Sequence, residues 1–185
     1  RGMFQYRSGG SAHPDMTYSL HSVRIGDHHF RLGRAPRLAA HANVVCRYYG
    51  DGVSESYTAR PEGVQQCWVI GKRPKAAGDL IIEGRVVTPY MPKSTPKGLA
   101  LVEEDGRAAL SYGAVTVVDS AGNTCERMPS IENDRLRIVV PASYVAQARF
   151  PILVDPVVGP EVPICPTFSS ADNLQENVDI AAGPN

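Results

Sequence analysis

The chain has no run of about eighteen apolar residues, so nothing in it reads as a transmembrane helix. It has no CxxC pair, no GxGxxG, no GxxxxGK[ST], no GxSxG elbow and no DxDxDG loop. The short signatures of zinc, dinucleotide, nucleoside-phosphate, α/β-hydrolase and EF-hand chemistry are therefore missing. It also lacks a charge imbalance, because 19 basic and 19 acidic residues cancel. A neutral chain is not built to hold a nucleic-acid backbone or an anionic membrane. The same neutrality leaves little to repel a second copy and so permits self-association. Helical periodicity is almost absent. The opening "RGMFQYRSGGSAHPD" has no hydrophobic core and does not read as a signal peptide.

What remains is β-rich. A hydrophobic fraction of 43% over 185 residues suits one domain plus a tail. Such a chain buries roughly two-thirds of its unfolded surface and needs no disulfide or metal to fold. "MTYSLHSVRIG" (16–26) alternates, and "DHHF" turns into a further strand. "ANVVCRYYG" (42–50), "VSESYTAR" (53–60) and "VQQCWVIG" (64–71) are joined by "GDG" and "PEG", which predicts an antiparallel meander. "DLIIEGRVVTPYM" (79–91) reads as a strand bulged at Gly84, and "MPKSTPKG" (91–98) as a proline-broken connection. Asp105-Gly106 marks a hairpin, "DSAGN" (119–123) a turn, and "DRLRIVV" (134–140) an alternating strand. One short helix is expected over 141–149, opened by Pro141, with Tyr144, Val145 and Ala148 on one face.

The expected fold class is all-β, an antiparallel β-sandwich-like domain with that one helix and extended N- and C-terminal arms. Residues 1–15 read as an N-terminal arm and 16–158 as the β-rich domain. Residues 159–185, with four prolines and "SSADNLQEN", read as a linker or the start of a following module. "FPILVDPVV" (150–158) is expected to be a closing strand fenced by Pro151 and Pro156, with Asp155-Pro156 turning the chain outward. Leu153→Asp should then prevent folding, while truncation after Pro160 should not.

Candidate chemistry is sparse. Asp27-His28-His29 offers two imidazoles and a carboxylate, yet neighbouring strand residues face opposite ways, so the stretch reads as a solvated turn and no metal is expected. Glu103-Glu104-Asp105 flanks a turn tip, where solvent keeps carboxylates ordinary. The cysteines at 46, 67, 125 and 165 match no zinc spacing. They are either small buried hydrophobes or disulfide partners, and four cysteines permit three pairings. Cys125 and Cys165 both lie near predicted turns, where a staple would hold an end down, and form the favoured pair. Tyr48, Tyr49, Tyr57 and Trp68 fall in one meander. They read either as core or, if exposed in a row, as a carbohydrate- or protein-binding face. Alternation separates Tyr48 from Tyr49 across the sheet. No cofactor and no catalytic residue are expected.

Residues 44–158 carry "VVCRYYGDGVSESYTARPEGVQQCWVIGKRPKAAGDLIIEGRV", "LSYGAVTVVDSAGN" and "DRLRIVVPASYVAQARFPILVDPVV" in that order. This resembles the β-rich domain near the N-terminus of large secreted bacterial surface proteins, whose closing "YPxxxDP"-type motif precedes FG-GAP, propeller-type or RHS-like repeats. Phe150 stands where the pattern has tyrosine, and Cys46 and Cys67 are not features of it. The resemblance implies secretion or cell-surface attachment, a structural or interaction role, and protein partners or downstream modules of the same polypeptide. It carries over no catalytic residue. The expected function is a non-catalytic module, possible also as a homo-oligomer or filament subunit. The alternatives are an adhesive module with an aromatic face and a secreted hydrolase or metal-dependent enzyme.

Overall fold

The computed structural model of the chain describes residues 3–7, 13–61 and 63–159. In chain order the strands begin with β1 (Phe4–Tyr6), β2 (Met16–Ile25), β3 (His28–His29), β4 (Arg37–His41), β5 (Val44–Gly50) and β6 (Val53–Arg60). There follow β7 (Gly63–Ile70), β8 (Leu80–Val87), β9 (Met91–Thr95), β10 (Gly98–Val102), β11 (Ala108–Gly113) and β12 (Val115–Asp119). The last are β13 (Thr124–Arg127), β14 (Ser130–Glu132), β15 (Arg135–Val140), the helix α1 (Ala142–Gln147), β16 (Ile152–Asp155) and β17 (Val157–Gly159). All pairings are antiparallel, as the turn chemistry predicts.

Two sheets face each other across one core. The smaller runs β1-β2-β8-β15-β14, with β3 on the end of β2. The larger starts β4-β5-β6-β7 and then divides. Beyond β7 lie β16 and β17, end to end along the same side of it. β16 leads on to β12 and β13, and β17 leads on to β11, β10 and β9. Aromatic pairs close the gap between sheets: Phe4 stacks on Tyr57 with ring centroids 4.2 Å apart, and Tyr18 meets Trp68 edge-on at 6.0 Å. Such pairs add roughly 0.5–1.5 kcal/mol beyond the area they bury.

The stretch 150–158 is therefore a central strand, not a closing edge. Asp155-Pro156 does not turn the chain outward, because β17 continues in the sheet beside β7 and β11. Pro156 occupies the joint where the strand exchanges β12 for β11, and its carbonyl accepts from the Gln66 amide at 3.1 Å. Ile152 and Val154 point into the core, while Leu153 is half-buried on the other face. The Phe150–Pro151 peptide is cis. Phe150 lies under the Arg73 guanidinium, 5.2 Å from ring centroid to Cζ, and packs on the rim of the core.

Two local expectations change. "MPKSTPKG" is not a loop: Met91–Thr95 pairs with β10, and Pro92 is tolerated because β9 is an edge that needs no N–H there. The bulge assigned to Gly84 belongs to its partner, since the β2 register jumps from Leu20 to Ser22 and leaves His21 as the extra residue. Gly84 instead makes room for an aromatic ring, because a Cβ there would stand 2.0 Å from Tyr18. The helix is held as expected, with Pro141 at its N-cap and Val145 and Ala148 buried.

Candidate functional site

Strand alternation sends Arg47, Glu55, Trp68, Val154 and Val117 to the same face of the larger sheet, in one register row. That face is the core. Glu55 is sealed there at 1% exposure, and both its oxygens are used. Tyr49 Oη donates to Oε2 at 2.7 Å, and Tyr57 Oη and Gln66 Nε2 donate to Oε1 at 2.8 and 3.0 Å. Tyr112 Oη extends the network by donating to Gln66 Oε1 at 2.8 Å. The counter-charge is Arg47, with Nη1 3.8 Å from Glu55 Oε2 and Nη2 donating to the Met3 carbonyl at 2.8 Å. Its guanidinium also lies 5.3 Å from the Tyr57 ring centroid.

This pocket of charge governs its neighbours. Burial first, then the nearby Glu55 carboxylate, pushes the phenols of Tyr18, Tyr49, Tyr57 and Tyr112 well above their ordinary range. Tyr18 Oη and Trp68 Nε1 are also buried, and neither makes a hydrogen bond among the described residues. A buried carboxylate satisfied by three donors and a cation specifies one arrangement of the strands around it. It has no open side for a substrate.

The second cluster is the turn after β12. Asp119, 4% exposed, accepts from the amides of Ala121, Asn123 and Arg149 and from Asn123 Nδ2, all at 2.8–2.9 Å. The Arg149 amide, then the Asn123 side chain, hold its carboxyl down at about 2 from an ordinary 3.8. Tyr144 Oη donates to the Asn123 carbonyl at 2.7 Å, which ties α1 to the same turn. A shallow cleft of about 540 Å³ opens beside these groups, lined by Asp119, Asn123, Tyr144, Gln147 and Arg149 among others. Its one carboxylate is fully engaged in fixing the turn. A depressed carboxyl stabilises the fold above its unfolded pKa and loses that contribution as pH falls through the folded one. Asp119→Ala should therefore lower Tm near pH 5, and the gap from wild type should close towards about pH 2. Differential scanning fluorimetry across that range is the measurement, and a gap that does not change with pH would rule the account out.

Of the four aromatic candidates, Tyr49, Tyr57 and Trp68 share the core face and are at most 4% exposed. Only Tyr48 reaches solvent, at 40%, under the Arg37 guanidinium at 4.4 Å. The set forms no common platform, and the aromatic binding face is withdrawn. Sequence reasoning missed Arg47, Glu55 and Gln66. The signal was parity: Glu55 alternates with Val53 and Tyr57, and Gln66 with Val64 and Trp68, so the polar residues had to enter the core with them.

The remaining candidates do not converge. His28 packs edge-on against Phe30 at 5.0 Å, while His29 is exposed beside it. No group of three or more His, Cys, Asp or Glu side chains able to hold a metal occurs among the described residues. Cys46 and Cys67 are free and lie on the outer face with Ser56 between them in the register. Two strand spacings are about 9–10 Å, beyond the roughly 7 Å that a disulfide spans. Burial, then the neighbouring Asp155, pushes the Cys67 thiol up to about 12 and makes it a poor nucleophile. Cys125 is half-buried; its expected pairing with Cys165 lies outside the described residues. Asp155 is half-buried, accepts from Gln65 Nε2, and is raised by burial. Comparison with family models, with curated proteins and with solved structures finds no match.

Proposed function

We propose that the chain is a non-catalytic structural and interaction module of a secreted or cell-surface protein. The observation that carries the reading is where its reactive groups are directed. The buried carboxylates Glu55 and Asp119 are satisfied by internal donors and lock strands and turns together. The resemblance of residues 44–158 to the β-rich domain of large secreted bacterial surface proteins supports the location and the modular setting. A net charge of zero and the exposed edge strand β4 suit contacts with neighbouring modules or copies.

The test has two arms. External protease applied to intact cells of the source organism is expected to release peptides of this chain; recovery only after lysis would remove the surface assignment. A panel of chromogenic esters, phosphoesters and glycosides, with and without divalent ions, is expected to show no turnover by the purified protein. Turnover that disappears on Asp119→Asn would overturn the non-catalytic reading.

A further inference from the structure

Natural sheets protect their edges with short strands, lysine, proline, bulges or covering segments. Most edges here follow that rule. β9 carries Pro92 and Lys93, β13 ends on Glu126 and Arg127, and β1, β3 and β14 are two or three residues long. β4, "RLAAH", does not. Among the described residues it pairs only with β5, all five of its residues are exposed, and its middle three are Leu38, Ala39 and Ala40. Leu38 belongs to the inward-facing row with Arg47 yet is 46% exposed, so the hairpin projects past the opposing sheet.

Register fixes which backbone groups are free. The β4–β5 hairpin closes on the two-residue turn Ala42-Asn43, with Ala42 at φ 50°, so the flanking pair His41 and Val44 exchange both hydrogen bonds. By alternation Ala39 and Arg37 also bond towards β5, leaving the N–H and C=O of Leu38 and Ala40 pointing outward. An antiparallel copy centred on Ala39 sets Leu38 opposite Ala40 of the partner and uses all four outward groups of each strand. On the axis, alanine meets alanine, and Arg37 of each copy lies opposite His41 of the other, so neither the two arginines nor the two histidines face each other.

We propose that β4 pairs with β4 of a second copy across a two-fold axis at Ala39, joining the two larger sheets into one continuous sheet. The proposal deepens the module reading by naming the occupant of an edge, and rests on it only for its biological setting. The centred register makes Ala39 of each copy a non-hydrogen-bonded pair, with Cα atoms about 4.5 Å apart, a separation that a disulfide can span.

The experiment is sedimentation of the full chain over a concentration series, followed by cross-linking. Wild type is expected to shift from monomer to dimer. Ala40→Pro, which removes an outward donor and no bond to β5, should weaken dimerisation at least tenfold with Tm little changed. In a Cys46→Ser background, Ala39→Cys should form a covalent dimer under mild oxidation, and Ala40→Cys should form far less. Monomer at all concentrations would overturn the proposal. So would a dimer indifferent to both positions, or a monomer whose Leu38 and Ala40 amides are protected from exchange, which would seat another segment of the chain on the edge. None of these outcomes touches the protease-accessibility and turnover tests of the module reading.

Discussion

Replacing Val154 by Asp is expected to abolish folding, whereas Leu153→Asp should leave a folded protein with a lowered melting temperature. Val154 is fully buried in the register row between Trp68 on β7 and Val117 on β12, both also fully buried. Losing its side chain forfeits about 1.5–3 kcal/mol of apolar burial. A carboxyl placed there adds several kcal/mol more, because none of those neighbours can donate a hydrogen bond to it except the single indole N–H of Trp68. Together these approach the whole stability of an ordinary domain, about 5–15 kcal/mol. Leu153 faces the other way and is half-buried, with Val69 and Val118 as its cross-strand neighbours. A charge there can turn to solvent at a cost of about 1–2 kcal/mol. Circular dichroism and urea titration of the two purified variants decide the matter. A cooperative unfolding transition for Val154→Asp would show that strand 152–155 is not integral to the core.

The second large effect is alkaline unfolding. Tyr18, Tyr49, Tyr57 and Tyr112 keep their protons in the folded chain well above pH 10, through burial and then the charge of Glu55. The unfolded chain releases them near 10. Their contribution is complete below that value and is lost as pH rises above it, because only the unfolded state gains by ionising. One pH unit beyond 10 costs about 1.4 kcal/mol for each phenol, so four cost on the order of 5 kcal/mol by pH 11. Absorbance of tyrosinate at 295 nm should rise cooperatively with loss of near-ultraviolet circular dichroism, within about a pH unit above 10. Ionisation of all eight tyrosines before the near-ultraviolet signal is lost would mean that these four phenols are open to solvent. Tyr57→Phe should leave a smaller alkaline step, because three such protons then remain to be lost.

Much of the architecture was legible because it rests on local rules. The meander β5-β6-β7 follows from period-2 alternation broken by "GDG" and "PEG", and the Asp105-Gly106 and "DSAGN" turns form as their chemistry dictates. What was illegible is long-range. Nothing in "FPILVDPVV" says that it inserts between β7 and two different strands, since a short apolar run suits a centre as well as an edge. "MPKST" failed for the opposite reason, because Pro92 looks forbidding until the strand is known to be an edge. The inner cluster was half-readable: the parity that hides Tyr49, Tyr57 and Trp68 also hides Arg47 and Glu55. Only the fold supplies the partners that make burying a charge tolerable.

Trp68 and Val154 face each other across neighbouring strands, yet much of the chain separates them in sequence. One flank of β7 therefore stays open until the chain has been made as far as β17. A nascent molecule carries an incomplete larger sheet, with the meander already able to form and its inner face still wet. Pairings of this reach close slowly, on a scale of milliseconds to seconds rather than microseconds. Emission from the single tryptophan, Trp68, gives a direct clock for that last insertion. Until it happens, β7 is the surface that a chaperone has reason to hold.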